Sequence, residues 1–199
     1  MKKALTLGVT LLAGLSLTAC GANNSNETST SSGKKTTQTT KAPKTSKITV
    51  DYNDYKVSSS KTYKVNYEDT DWDEANVKIN KVTVYKLADP YEFESSCDGT
   101  YNINGFIELD MTVKANDDIS IYPSQGTAII GEEQEDAILE GWDGEINNGA
   151  EKSGKVYIPV KNLGKATNIS NLRFKFSGNN QNDYADDYDY DLTFDLYND

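Results

Sequence analysis

The chain has 199 residues, 26% of them charged, with no histidine and a net charge of −11. Without histidine, the Ser-His-Asp and Cys-His catalytic arrangements and the usual zinc sites are excluded. The acidic excess makes the chain a poor partner for nucleic acid, where Lys and Arg must neutralise phosphates.

The first segment reads as a secretory signal. Lys2 and Lys3 form its charged end, and Ala4 to Ala19 is an uncharged apolar run. A transmembrane helix needs roughly 20 apolar residues, and this run stops short of that. It ends in Leu17, Thr18, Ala19 and Cys20, which resemble the lipobox of bacterial lipoproteins. The resemblance implies that residues 1–19 are cleaved off, that Cys20 takes a diacylglyceryl group, and that palmitate-type chains hold the protein on the outer face of the cell membrane. Two or more acyl chains anchor stably where one binds only marginally. No apolar tail or sorting motif closes the sequence, so Cys20 is the expected anchor.

Residues 20–47 read as a tether. From Gly21 to Lys47 the segment is dominated by Ser, Thr, Asn and Lys, and carries five lysines against Glu27. It holds no aromatic or large aliphatic side chain with which to build a core. As a flexible coil it would reach roughly 30 Å, and about 80 Å when stretched. Its lysines either keep it soluble or lie against anionic lipid heads and wall polymers. The residues from Ile48 onward hold 13 basic and 30 acidic side chains, a net charge of −17. Residues 48–60 are left open between a first strand and more linker.

Residues 61–199 are read as the folded domain, because from Lys61 apolar residues alternate with polar ones, as in strands with one buried face. Tyr63, Val65 and Tyr67 form the first such pattern. Val77 and Ile79 then share one parity and Val82 and Val84 the other, which predicts a bulge inside one long strand. Cys97 follows in an expected loop, a lone thiol once Cys20 is lipidated, without an intramolecular partner and without a His to activate it. Ile107, Leu109, Met111 and Val113 make the clearest alternation. Shorter strands are expected at Ile119–Tyr122 and Thr127–Ile130, with Pro123 and Gly126 marking a turn or a crossing between sheets. Glu132–Trp142 is the one candidate for a short helix. Three more strands are expected around Val156–Val160, Leu172–Phe176 and Tyr188–Leu196, giving an all-β chain of about 7–8 strands.

Trp72 ahead of the Val77–Val84 strand, the Gly-Phe-Ile-Glu-Leu-Asp-Met-Thr-Val run from Gly105 to Val113, and Gly-Lys-Val-Tyr-Ile-Pro-Val from Gly154 to Val160 occur in that order. Together they resemble the telokin-like, immunoglobulin-fold domains of unknown function found in lipoproteins of Gram-positive bacteria. The resemblance implies an immunoglobulin-like β-sandwich in an extracytoplasmic setting, and it carries no catalytic residues over.

Several short motifs fail on chemistry. Gly149–Lys155 follows the phosphate-binding loop as far as its lysine, but Val156 stands where Ser or Thr must hold magnesium, so a hairpin turn is expected. Ser58–Lys61 spells the nucleophile motif of penicillin-recognising enzymes without its companion motifs. Asp69, Asp71 and Asp73 open like an EF-hand, but Glu74 replaces the required Gly and Asn80 the closing Glu. A looser calcium site drawn from Asp183, Asp186 and Asp187 stays open, as does a solvated acidic strand face made by Asp187, Asp189, Asp191 and Asp195.

The function expected from these residues is that of a non-catalytic, lipid-anchored binding module without a cofactor. Its partners would be the membrane through Cys20 and a cell-wall polymer or a secreted protein. Trp142, flanked by Gly141 and Gly144, is the best candidate for an exposed aromatic that stacks on a ligand, with Trp72 second. The alternatives are a calcium-dependent adhesion domain and a wall-glycan hydrolase using two carboxyls among Asp136, Glu140, Asp143 and Glu145.

Overall fold

Strands dominate because nearly every apolar run alternates with polar residues, a period that buries one face of a sheet and leaves the other wet. The computed structural model describes residues 46–95, 99–139, 141–183 and 185–196, all belonging to one folded unit. Residues 1–19, Cys20, the tether up to residue 45, Cys97 and Glu140 lie outside the described residues.

The elements in chain order are β1 (Ser46–Val50), β2 (Asn53–Asp69), β3 (Ala75–Ser95), β4 (Gly99–Ala115), β5 (Ile119–Ile121), β6 (Thr127–Ile130), β7 (Glu133–Asp136), β8 (Gly144–Ile146), β9 (Glu151–Val160), β10 (Asn171–Asn180) and β11 (Asp187–Asp195). The described residues contain no α-helix, only a 3₁₀ turn at Pro123–Gln125. One sheet runs β1-β2-β3-β4-β9, all antiparallel. The other has β10 at its centre, with β11 along one edge and both β5 and β6 along the opposite edge. β5 and β6 are therefore two halves of one interrupted strand, split by the Pro123–Gln125 turn, and no crossing between sheets occurs there. β8 pairs with β5, and β7 pairs with β6.

The inner faces of both sheets meet in the main core. Ile107, Leu109, Met111 and Val113 of β4 and Val156 and Ile158 of β9 pack with Leu172, Phe174 and Leu192 of the second sheet. The bulge expected in β3 is present. The β3–β4 register slips between Ile79 and Lys81, and the extra residue, Asn80, donates its side-chain amide to Asp110 Oδ1 and Thr112 Oγ1, both at 3.1 Å. Further slips lie in β2 beside Ser58 and Asn66 and between Lys86 and Tyr91. Bulges bend strands and raise their twist, and strands of 17 to 21 residues are curled by them.

That curl creates a second apolar cluster on the outer side of the first sheet. Phe106 of β4 and Tyr157 of β9 alternate with the inward residues, and together with Ile103 they are covered by Val50, Tyr55, Val57, Leu87 and Ile138. At its base Glu108 is buried, with Oε2 accepting from the hydroxyls of Tyr85 (3.2 Å) and Tyr157 (3.0 Å) and Oε1 paired with Lys155 at 3.1 Å.

The structure corrects three expectations and decides one left open. The first described strand begins at Ser46, two residues inside the expected tether, and residues 48–60 are strand apart from the Asp51–Tyr52 turn, with Ser46–Val50 paired to Asn53–Val57. The count is 11 rather than 7–8 strands. β1, β7 and β8 are short, and β7 is the all-polar Glu-Gln-Glu-Asp, so alternation of apolar residues could not reveal it. Glu132–Trp142 forms no helix. A tight turn with Gly131 at φ +65° folds β7 back onto β6, and Glu135 points inward to an ion pair with Lys161 at 3.0 Å.

Candidate functional site

The residues singled out as ligand contacts do not gather into one site. Trp142 is only 8% exposed and belongs to the main core. The Nε1–Cδ1 edge of its indole abuts Gly154 of β9, so that a Cβ on Gly154 would fall on those two atoms. Trp72 is 5% exposed. It stacks on Tyr188 with ring centres 5.5 Å apart and donates its indole N–H to Asp186 Oδ2 at 3.3 Å. The expectation that Trp142 offers an open stacking face is therefore corrected: a glycine without a side chain, twelve residues away in sequence, receives the ring.

The acidic candidates are likewise engaged in holding loops. Asp183 accepts from the backbone N–H of Ala185 at 3.0 Å, Asp186 holds Trp72, and Asp187 starts β11 with its side chain exposed. Among the described residues no three His, Cys, Asp or Glu side chains converge as a metal site. Asp143 accepts from the Ser124 backbone N–H (2.7 Å) with one oxygen and from the Gln125 amide (3.0 Å) with the other. Asp136 accepts from Thr127 at 3.1 Å, and Glu145 lies exposed in β8. Ser58 and Lys61 sit in β2, where the Ser58 hydroxyl donates to the carbonyls of Lys86 and Leu87 at 3.1 Å. Of Gly149–Lys155, expected as a hairpin turn, only Gly149 and Ala150 lie in a turn, closed by the Ala150 N–H on the Asn147 carbonyl at 2.9 Å, while Glu151–Lys155 already belong to β9.

A different feature stands out. Among the described residues the large hydrophobic side chains left exposed are Tyr52 (100%), Leu139 (59%) and Tyr91 (43%). Leu139 and Tyr91 line one groove, and Tyr52 stands next in the chain to two of its lining residues, Asp51 and Asn53. The groove is formed where the tip of the β1–β2 hairpin, the distal end of β3, the Pro123–Gln125 turn and the segment after β7 come together. One part, a cavity of about 450 Å³, is walled by Phe93, Ala137, Ile138 and Leu139, with Asp51, Glu94 and Asp136 among its lining residues. An adjoining part of about 650 Å³ is lined by Tyr55, Tyr91, Glu92 and again Asp51 and Phe93. No basic residue lines either part.

The local sequence explains this geometry. Val50 pairs with Asn53, so β1 and β2 are joined by the two-residue turn Asp51–Tyr52, with φ of +45° and +63°. Such left-handed turns match the twist of a hairpin and favour Asn-Gly. An aspartate and a tyrosine held there are strained, at a cost of order 1–3 kcal/mol each. The result is a tyrosine ring standing wholly in solvent at the groove's lip. Behind it, Tyr55 meets the rings of Tyr91 and Phe106 edge-on, each at 4.8 Å. Burial, then the nearby Tyr91 and Asp51, push the Tyr55 hydroxyl up to about 12, so it stays a neutral hydrogen-bonding group at physiological pH.

No protein-family model matches the sequence, and no curated protein matches it. Two solved structures are similar in backbone. One is a functionally unknown protein from Listeria monocytogenes, 12% identical, with a TM-score of 0.48 over 71% of this chain and 87% of that one. The other is a Bacillus subtilis protein provisionally assigned as a lipoprotein, 14% identical, with a TM-score of 0.35 over 67% of this chain and 38% of that one. At these values neither likeness carries an argument about this chain's fold in detail or its function.

Of the groove residues only Asp136 was singled out in the sequence, as a candidate hydrolase carboxyl, and most of the others gave no signal there. Tyr91 and Phe93 lie in a stretch whose alternation is broken by Pro90, and Ala137–Leu139 fell in the middle of the expected Glu132–Trp142 helix. Asp51 and Tyr52 lay in residues 48–60, which the sequence left open between strand and linker.

Proposed function

We propose that the chain is a lipid-anchored binding module, an immunoglobulin-like (telokin-like) β-sandwich held by Cys20 on the extracytoplasmic face of the cell membrane, and that the groove beside Tyr52, Tyr91 and Leu139 is its binding site. The observation that carries the reading is that two of the three large hydrophobic side chains left exposed among the described residues, Tyr91 and Leu139, line this one groove, and the third, Tyr52, is chain neighbour to its lining residues Asp51 and Asn53. Scattered single hydrophobics are ordinary on a protein surface, whereas grouped ones mark interaction sites. The lipobox supports the location, and the tether gives the domain reach from the membrane. β1 runs from the tether's end at Ser46 to the groove's lip at Asp51, so the lip is about 15 Å along the strand from the point of attachment.

Two experiments test the two halves of the reading. Cys20→Ala is expected to abolish incorporation of labelled palmitate and to move the protein into the medium or leave an uncleaved precursor. A variant still processed and still membrane-bound would overturn the anchor. For the groove, Leu139→Glu changes an exposed position and is expected to alter stability by no more than about 0.5 kcal/mol, and Tyr91→Ala, which gives up the edge contact with Tyr55, by about 0.5–1.5 kcal/mol. They should nevertheless remove retention of whichever wall fragment, secreted protein or cation the unaltered chain retains in a binding screen. A ligand held equally well by the unaltered chain and by both variants would place the site elsewhere.

A further inference from the structure

We propose that the groove receives a basic, extended segment of a protein partner, with a Lys or Arg side chain entering the cavity between Phe93, Leu139 and Asp136. This rests on the reading of the groove as the binding site and adds the chemistry of its occupant. The cavity combines two surfaces that few ligands satisfy together: an apolar wall of Phe93, Ile138 and Leu139, and carboxylates from Asp51, Glu94 and Asp136, with no basic residue among the lining. A Lys or Arg side chain has both halves of the complement, an aliphatic stem that packs on apolar surface and a cationic head. The neighbouring part of the groove repeats the pairing with Tyr91, Tyr55 and Glu92, where a second cation can sit over a tyrosine ring.

An independent observation lies on the cavity wall. Ser124 is 1% exposed, and its hydroxyl has no hydrogen-bond partner among the described residues. A buried polar group without a partner costs about 1–3 kcal/mol, and because less than 1 Å² of this oxygen is open, a cationic donor reaches it only if the Pro123–Gln125 turn gives way as the segment binds. A metal ion would use the carboxylates and leave the apolar wall idle, and a neutral glycan would leave the carboxylates idle. Anionic polymers, lipid heads and nucleic acid are repelled by a domain of net charge −17, whereas a basic partner is drawn to it.

The test uses the mature chain, residues 20–199, and a fluorescein-labelled peptide of alternating Lys and Ser, followed by anisotropy at low and physiological salt. Binding is expected, with loss of affinity by about tenfold in Glu94→Lys and none in Asp189→Lys, an equal charge change on exposed β11. Acetylating the peptide's lysines should abolish binding. If Asp189→Lys weakens binding as much as Glu94→Lys, the attraction is only to the domain's overall charge and the proposal falls. It falls equally if the peptide binds only after Lys34, Lys35, Lys41 and Lys44 are replaced, since the chain's own tether is then the occupant. Calcium chloride and a glucosamine oligomer serve as the other probes. If one of these binds in a Leu139- or Tyr91-dependent way while the peptide does not, the groove stands as the site and the peptide proposal is overturned. If no probe responds to either groove variant, both readings fall.

Discussion

Trp142→Ala is expected to destabilise the domain by about 3–5 kcal/mol, the range for truncating a large aromatic in a packed core. The indole is buried against the backbone of Gly154, where it fills the space a side chain would take: a Cβ there would lie 0.8 Å from Nε1 and 1.3 Å from Cδ1. The same geometry makes Gly154→Ala costly, since overpacking forces either the ring or β9 to move, at about 1–3 kcal/mol. Because β9 pairs with the central β4 across ten residue pairs, Lys114–Glu151 to Gly105–Val160, displacement of the ring is felt across the first sheet. Combining the two changes should cost less than their sum, because alanine then occupies the space the indole has left. Urea titration followed by far-ultraviolet circular dichroism checks all three. A Trp142→Ala midpoint equal to that of the unaltered chain, accompanied by loss of a bound glycan, would restore Trp142 as an exposed stacking residue.

Glu108→Ala is expected to cost about 2–4 kcal/mol. The change withdraws the acceptor shared by the Tyr85 and Tyr157 hydroxyls, and each hydrogen bond to a charged group so lost is worth about 1.5–3 kcal/mol. Lys155 adds less, because its half-exposed ammonium can return to water. Glu108→Gln keeps an acceptor oxygen and should cost about half as much. The same cluster sets an alkaline limit on the fold. Burial, followed by the charge and hydrogen bond of Glu108, holds the Tyr85 hydroxyl up at about 12, and burial with Tyr91 and Asp51 does the same for Tyr55. A tyrosine in the unfolded chain ionises near 10, so the unfolded state loses its protons first as pH rises. The stability these two hydroxyls contribute is therefore intact below about pH 10 and is lost between about pH 10 and 12. Denaturation midpoints measured from pH 7 to 12 should be flat on the tyrosine account up to pH 10 and fall beyond it. A fall already complete by pH 9 would show that another group sets the limit.

Strands with one apolar face were legible wherever apolar residues alternated over several positions, as in Ile107–Val113, Leu172–Phe176 and Tyr190–Phe194. Even the slip at Asn80 showed in the change of parity between Ile79 and Val82, because side chains of one strand can reach the same core only if the phase is reset. Where a strand is stabilised by its neighbours rather than by its own pattern, no such trace exists. β7 carries no aliphatic residue, and only the pairing of Thr127–Ile130 with Glu133–Asp136 and the Glu135–Lys161 ion pair make it a strand.

The groove was illegible for a related reason. Asp51, Phe93, Ser124 and Leu139 are spread across almost ninety residues and meet only because the bulged strands curl the first sheet toward the Pro123–Gln125 turn of the second. The sequence by itself determined what depends on composition and local periodicity: an acidic all-β domain, the exclusion of histidine chemistry, and the expectation of a lipidated Cys20 behind a basic tether. Which aromatics are buried and which are exposed was decided by tertiary structure alone. A tryptophan between glycines is as compatible with solvent as with a core until a distant glycine supplies the space for it, and a tyrosine in a turn becomes exposed only when a strained hairpin holds it there.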